Sequence, residues 1–249
     1  MDTEWIGLVP AAGEGTRLGL PFPKELYPIL DNDNKIKPVC QNVIEQLRDC
    51  GIQNIVLVIS NNKYQIVSHL KDGKSLDCNL IYVYQERRNL TQSNSNSPGL
   101  AHAISSAYHV TKDKLVFFGM PDTVVYPKKV FEQGYELLVD SDAILYLFKT
   151  NTPHKFGMVR RDVNGKVIQV VDKPSKTDLE LMWGYIAWKP VFTRFIQAQI
   201  DNQEYDFSAI INNAISEGIT VNSIVVNNGK YYDIGTIDDL VRIQKMLGE

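Results

Sequence analysis

Cysteine is scarce: Cys40, Cys50 and Cys78 are the three in 249 residues, an odd number, widely spaced and without a Cys-x-x-Cys pair. Histidine is scarce too, at four. So few soft ligands argue against a disulfide framework and against a structural zinc site, and suit a reducing cytoplasm. No apolar run approaches the roughly 20 residues that span a bilayer, so no membrane association is expected. Charge of one sign is also missing. Twenty-six basic residues face 29 acidic ones, a formal net charge of −3 and no footprint for general nucleic-acid binding. The N-terminal Met1-Asp2-Thr3-Glu4 is acidic where an export signal is basic, so the sequon Asn89-Leu90-Thr91 reads as chance.

What is present is an ordinary globular composition, 44% hydrophobic and 22% charged, with length enough for a substantial core. The stretch with most chemical content is Ile6-Gly7-Leu8-Val9-Pro10-Ala11-Ala12-Gly13-Glu14-Gly15-Thr16-Arg17-Leu18, followed by Pro23-Lys24-Glu25. It reads as a buried strand running into a small-residue loop that carries an Arg, with a Lys close behind. Small residues let backbone N–H groups approach an anion, and cations on the same loop neutralise it. Nucleotide phosphates are the obvious guest. A strand-to-helix turn with ordinary surface cations would look the same locally.

Beyond the loop, Pro21, Pro23 and Pro28 predict irregular chain over residues 19–31, and Asp31-Asn32-Asp33-Asn34 a turn. A helix is expected from Pro38 to Cys50, a strand at Ile55–Ile59, a helix over 61–71 and a strand from Leu80 to Tyr84. Gln85 to Ser97 is polar and of low complexity, as in lids or inserts. Ser97-Pro98 starts a helix expected to run from Gly99 to about Val110. The apolar strand Leu115–Phe118 then ends in Gly119-Met120-Pro121-Asp122, where open α/β sheets place ligand and metal groups. The second half reads as a strand at Ala143–Lys149, a hairpin around Asn164-Gly165 closed by Asp172-Lys173-Pro174, a strand at Met182–Trp188, two helices, a strand at Val221–Val226 and a last helix to Leu247. Antiparallel elements grafted on a parallel core suggest one domain, 1–249, with nucleotide handling over 1–122 and the substrate over 123–249.

Taken together, Gly13-Glu14-Gly15-Thr16-Arg17, Pro23-Lys24, Pro98-Gly99-Leu100-Ala101-His102-Ala103, Pro121-Asp122, Phe156-Gly157, Asp172-Lys173-Pro174, Trp183-Gly184-Tyr185 and Tyr232-Asp233-Ile234-Gly235-Thr236 resemble the sugar-1-phosphate nucleotidyltransferases along nearly the whole chain. The resemblance implies a glycosyltransferase-A-like, Rossmann-like three-layer α/β sandwich with a mostly parallel central sheet and antiparallel additions in the second half. It implies that a sugar 1-phosphate attacks the α-phosphorus of a nucleoside triphosphate in line and releases pyrophosphate. Such chemistry needs positioning and charge neutralisation rather than a covalent nucleophile.

On that resemblance Arg17, Lys24 and Lys173 are the catalytic cations. Leu8, Ala11, Ala12, Gly13, Glu14, Gly15, Thr16, Gln85 and Gly99 bind the nucleotide, and Gly157, Asp172 and Gly184 the sugar. Asp122 and Asp233 hold Mg²⁺. A homo-oligomer is compatible with it. Three departures stand out. Asp172 occupies the place of a usual Glu, the opening reads Val-Pro-Ala-Ala-Gly, and the 85–99 segment is longer than in common relatives. UTP or dTTP with glucose 1-phosphate is the favoured pair. A cytidylyl- or guanylyltransferase and a catalytically silent sugar-nucleotide-binding paralogue are the alternatives. A dinucleotide oxidoreductase is disfavoured, because Gly13-x-Gly15 is followed by Leu18 rather than a third glycine.

Overall fold

A computed structural model describes residues 4–15, 18–30, 35–86 and 99–247. The chain opens with β1 (Trp5–Pro10), a small ribbon of β2 (Pro28–Leu30) and β3 (Ile36–Pro38), then α1 (Cys40–Asp49), β4 (Asn54–Ile59), α2 (Tyr64–Leu70) and β5 (Asn79–Tyr84). Two helical pieces follow, α3 (Gly99–Ser106) and α4 (Tyr108–Thr111), then β6 (Leu115–Phe118) and β7 (Thr123–Tyr126). The second half adds β8 (Ala143–Lys149), β9 (Gly157–Arg161), β10 (Val167–Asp172), β11 (Leu181–Trp188), α5 (Pro190–Asp201), α6 (Phe207–Ser216), β12 (Val221–Val225), β13 (Lys230–Asp233) and α7 (Ile237–Leu247).

The apolar runs of β1 and β4 become parallel strands because side chains of both pleat faces are buried. Ile6, Leu8, Val56 and Val58 enter one core with α3, α5 and α6, while Val9, Ile55, Leu57 and Ile59 enter another beneath α1 and α2. The result is a three-layer α/β sandwich. Strands β6, β1, β4 and β5 lie side by side and parallel, and β11 joins antiparallel on the free edge of β6. β11 pairs in turn with β8, and β8 with β12, while the β9–β10 hairpin ends the sheet.

The order β6-β1-β4-β5 puts a topological switch point between β1 and β6, since the chain leaves β1 toward β4 and returns on its other side. The crevice outside the carboxyl ends of such strands is where open α/β sheets receive ligands. A ribbon of β7 and β13 starts just beyond the carboxyl end of β6, directly after Asp122. A third apolar cluster of Leu18, Ile29, Val39, Val124, Ile234, Leu240 and Ile243 packs this ribbon and α7 against β2 and the start of α1.

Three expectations are corrected here. Residues 19–31 are not irregular throughout: Lys24–Leu26 form a 3-10 turn and Pro28 starts β2, a ribbon position where its missing N–H costs no ladder bond. The helix expected from Gly99 to about Val110 breaks at Ala107, where the Ser106 hydroxyl donates back to the His102 carbonyl and the Ala107 N–H tightens onto Ile104. The segment 61–71 begins as a 3-10 turn, Asn61–Lys63, before α2. The turn expected at Asp31–Asn34, the helix start at Ser97-Pro98 and most of the 85–97 stretch fall outside the described residues.

Candidate active site

The loop after β1 is stitched to its neighbour strand from the start. Ala11 donates its N–H to the Val58 carbonyl at 2.8 Å, and the Ala12 carbonyl accepts from the Ser60 hydroxyl at 2.9 Å. Both alanine side chains are buried, so each can face a ligand only through its backbone. Gly13 and Glu14 are exposed, and Gly13 has open space where a Cβ would stand. Gly15 has φ +65°, a conformation L side chains disfavour, and its Cβ position lies 3.5 Å from the Lys24 stem. Glycine there lets the loop turn back over the lysine. Thr16 and Arg17 lie outside the described residues. Leu8, also expected at the nucleotide, is wholly buried within the sheet, its carbonyl accepting from Gly119.

Lys24, on its 3-10 turn, makes an ion pair with Asp122 Oδ2. Burial opposes the charge on Lys24, yet Asp122, with help from Glu25 and Asp233, holds its ammonium above the ordinary lysine value. Asp122 lies beyond β6, is 4% exposed, and its Oδ1 is buried with no hydrogen-bond partner. Asp233 ends β13 opposite Thr123, and the Ile234 N–H donates to the Asp122 carbonyl at 2.9 Å, which locks the two segments side by side. Burial, and then the negative charge of Asp122, push the Asp233 carboxyl up to about 7. Two carboxylates forced together in this way favour a nearby positive charge, which the Lys24 ammonium supplies in this structure. Among the described residues no group of three or more His, Cys, Asp or Glu could cage a metal alone, so an ion here would draw its other ligands from substrate and water.

A second group sits on the β9–β10 hairpin. Asp172 pairs across the ladder with Gly157, and Lys173 follows with φ 41°, its N–H donating to the Phe156 carbonyl and its ammonium 3.2 Å from Asp172 Oδ2. The Lys173 side chain is 61% exposed, so it is free to move toward an anion. Gly157 lies tightly under the Trp183 indole. Gly184, expected at the sugar, sits at a bulge of β11 beneath Tyr231 and Phe148, where a Cβ would stand 2.6 Å from the tyrosine ring. On the opposite flank, Gln85 is buried and bonds to the ring of His102 at 2.7 Å, and Gly99 starts α3 with φ +70°.

Several residues escaped sequence reasoning. Glu25 and Lys63 form a buried ion pair at 2.6 Å behind Lys24. Lys155 pairs with Asp239 of α7 at 2.9 Å, and both act electrostatically on Asp233. Only Asp239 left a trace: Thr236-x-x-Asp239 has capping-box spacing, and the Thr236 hydroxyl and Asp239 do bond to each other. The cap therefore uses Thr236 and Asp239 and leaves Asp233 to the site.

The profile of the nucleotidyl transferase family matches residues 6–249. The chain belongs to that family. Among its relatives in the nucleotidyl transferase family, it is 28% identical over 258 residues to a low-salt glycan biosynthesis nucleotidyltransferase of Haloferax volcanii, covering 98% of this chain and 66% of that protein. It is 27% identical to a glucose-1-phosphate thymidylyltransferase of Streptomyces griseus (97% and 66% covered) and 25% identical to a UTP–glucose-1-phosphate uridylyltransferase of H. volcanii (97% and 96% covered). The chain thus spans just under two thirds of the first two relatives and nearly all of the third. In fold it is similar to a Bacillus anthracis crystal structure containing sucrose, with TM-score 0.81, 18% identity, and 98% and 95% of the two chains covered. Among the described residues no helix is long and apolar enough to cross a membrane.

Proposed function

We propose that this nucleotidyltransferase joins UTP or dTTP to glucose 1-phosphate or a close hexose relative. An oxygen of the sugar phosphate attacks the α-phosphorus, the bond to the β-phosphate breaks, and pyrophosphate leaves. The observation that carries this reading is the Lys24–Asp122–Asp233 cluster at the switch point of the sheet, beside the Gly13–Gly15 loop. Nucleotide-sugar synthesis requires two phosphates to meet, and cations must surround them.

In this reading the backbone from Ala11 to Thr16 cradles the triphosphate, Arg17 and Lys24 neutralise it, and Gln85 and Gly99 face the base. Lys173 orients the sugar phosphate, with Gly157, Asp172 and Gly184 around the sugar. The first 122 residues then serve the nucleotide and the remainder the sugar phosphate, with Asp233 crossing over. Mg²⁺ fits the donor set, because the unpartnered buried Oδ1 of Asp122 and the raised Asp233 carboxyl are hard oxygen ligands in want of a cation. When bound it would supply charge neutralisation to the phosphate oxygens. The free thiols suit a cytoplasmic enzyme.

Pyrophosphate release from five nucleoside triphosphates, each against several sugar 1-phosphates, tests the reading. Turnover is expected with UTP or dTTP only when both substrates are present. Turnover with CTP or GTP alone reassigns the base, and tight nucleotide-sugar binding without turnover marks a silent binding protein.

A further inference from the structure

Behind the substrate-facing cluster lies a pair of charges that touches no reacting group. The Glu25 and Lys63 side chains are 1% and 2% exposed, and their charged atoms meet at 2.6 Å. Taking such a pair out of water costs as much as its attraction returns, so apolar residues of similar volume usually serve stability as well or better. An ion pair kept in this place calls for another explanation.

Its position supplies one. Glu25 is the middle residue of the 3-10 turn that carries Lys24. Lys63 ends the turn that starts at Ser60, with its N–H donating to the Ser60 carbonyl, and the Ser60 hydroxyl holds the Ala12 carbonyl. The pair therefore ties the Lys24 turn to the loop after β4, which is itself held to the loop after β1. From Lys63 the charges alternate through Glu25 and Lys24 to Asp122 beyond β6, each favouring its neighbour.

We propose that the Glu25–Lys63 pair is a positioning device that fixes the register of the Lys24 turn, so that the Lys24 ammonium is held at the phosphate crevice. The proposal deepens the nucleotidyl-transfer reading and rests on it. An apolar contact could slide or rotate at this point, whereas an ion pair with a defined direction cannot.

The test uses the full chain carrying Glu25→Leu with Lys63→Met, which removes both charges and keeps the volume. Its denaturation midpoint is expected near that of the parent, with kcat lower by roughly 10²-fold and the KM for sugar 1-phosphate little changed. Amide hydrogen exchange gives a readout independent of turnover. Leu26 and Tyr27, whose N–H groups donate to the Pro23 and Lys24 carbonyls, should exchange roughly tenfold faster, while Ala11, bonded to Val58, serves as the unaltered control. Should the double variant fail to fold, Glu25→Gln, which keeps shape, is expected to accelerate the same two amides. Parental kcat together with unaltered Leu26 and Tyr27 exchange would overturn the proposal. A parent chain that releases no pyrophosphate would defeat the functional reading, and the exchange rates would still decide the role of the pair.

Discussion

At the scale of single residues, the site turns on a few charges whose surroundings leave little freedom. Asp122 has one oxygen paired with Lys24 and one with no partner. Asp122→Asn is expected to abolish magnesium-dependent pyrophosphate release, checked by titrating turnover against Mg²⁺; unchanged metal dependence would remove Asp122 from that role. Arg17→Ala should lower kcat by roughly 10²-fold or more in the same assay, the effect of deleting a group that stabilises developing charge. On the proposed reading Lys24 and a divalent ion compete for the Asp122 carboxylate. Replacing Lys24 by Met should therefore tighten Mn²⁺ binding to the nucleotide-free protein, read by the loss of the free-ion electron paramagnetic resonance signal, while turnover falls. That Lys24 and Asp122 stand out was legible in the sequence, because each sits in a short Pro-containing motif, Asp122 at the end of an apolar run. Glu25 and Lys63 were not, since nothing local distinguishes a buried lysine on a turn from a solvated one, and their partnership spans 38 positions.

At the scale of elements, two changes are informative. Gly184→Ala would force a methyl against the Tyr231 ring and Phe148, so β11 should lose about 1–3 kcal/mol by denaturant unfolding whether or not sugar contacts suffer. Asp239→Asn weakens the α7 cap at a cost of about 1 kcal/mol near pH 7. Burial opposes ionisation of Asp239, but the Thr236 and Lys155 bonds outweigh it and hold the carboxyl below its ordinary 3.8. A depressed folded-state value stabilises above the unfolded one, so the gap between variant and parent should close as pH falls through and below 3.8. The core strands β1, β4, β5 and β6 and the Asn164-Gly165 hairpin were legible because burial on both faces, or a turn with one favoured geometry, writes itself into short stretches. The β7–β13 ribbon was not. Thr123–Tyr126 and Lys230–Asp233 are four residues each, lack a long apolar run, and become strands only because each supplies the other's ladder. The same holds for Gly157 and Gly184, whose ring neighbours come from elsewhere in the fold.

At the scale of the whole molecule, the sheet does not divide where the proposed nucleotide-facing and sugar-facing parts divide. β6 lies between β1 and β11, and both apolar layers draw on the two halves of the chain. A fragment of residues 1–122 would leave one side of β6 bare and should lack a cooperative unfolding transition by circular dichroism. The Asp122–Ile234 hydrogen bond carries a further consequence. The Asp122 and Asp233 carboxylates, the proposed metal ligands, lie far apart in sequence, so the segments between them must be in place before they stand together. During synthesis the glycine loop emerges well before Asp233. A nascent chain can thus display the glycine loop before Asp122 and Asp233 stand together, and their pairing reports that the segments between them have folded.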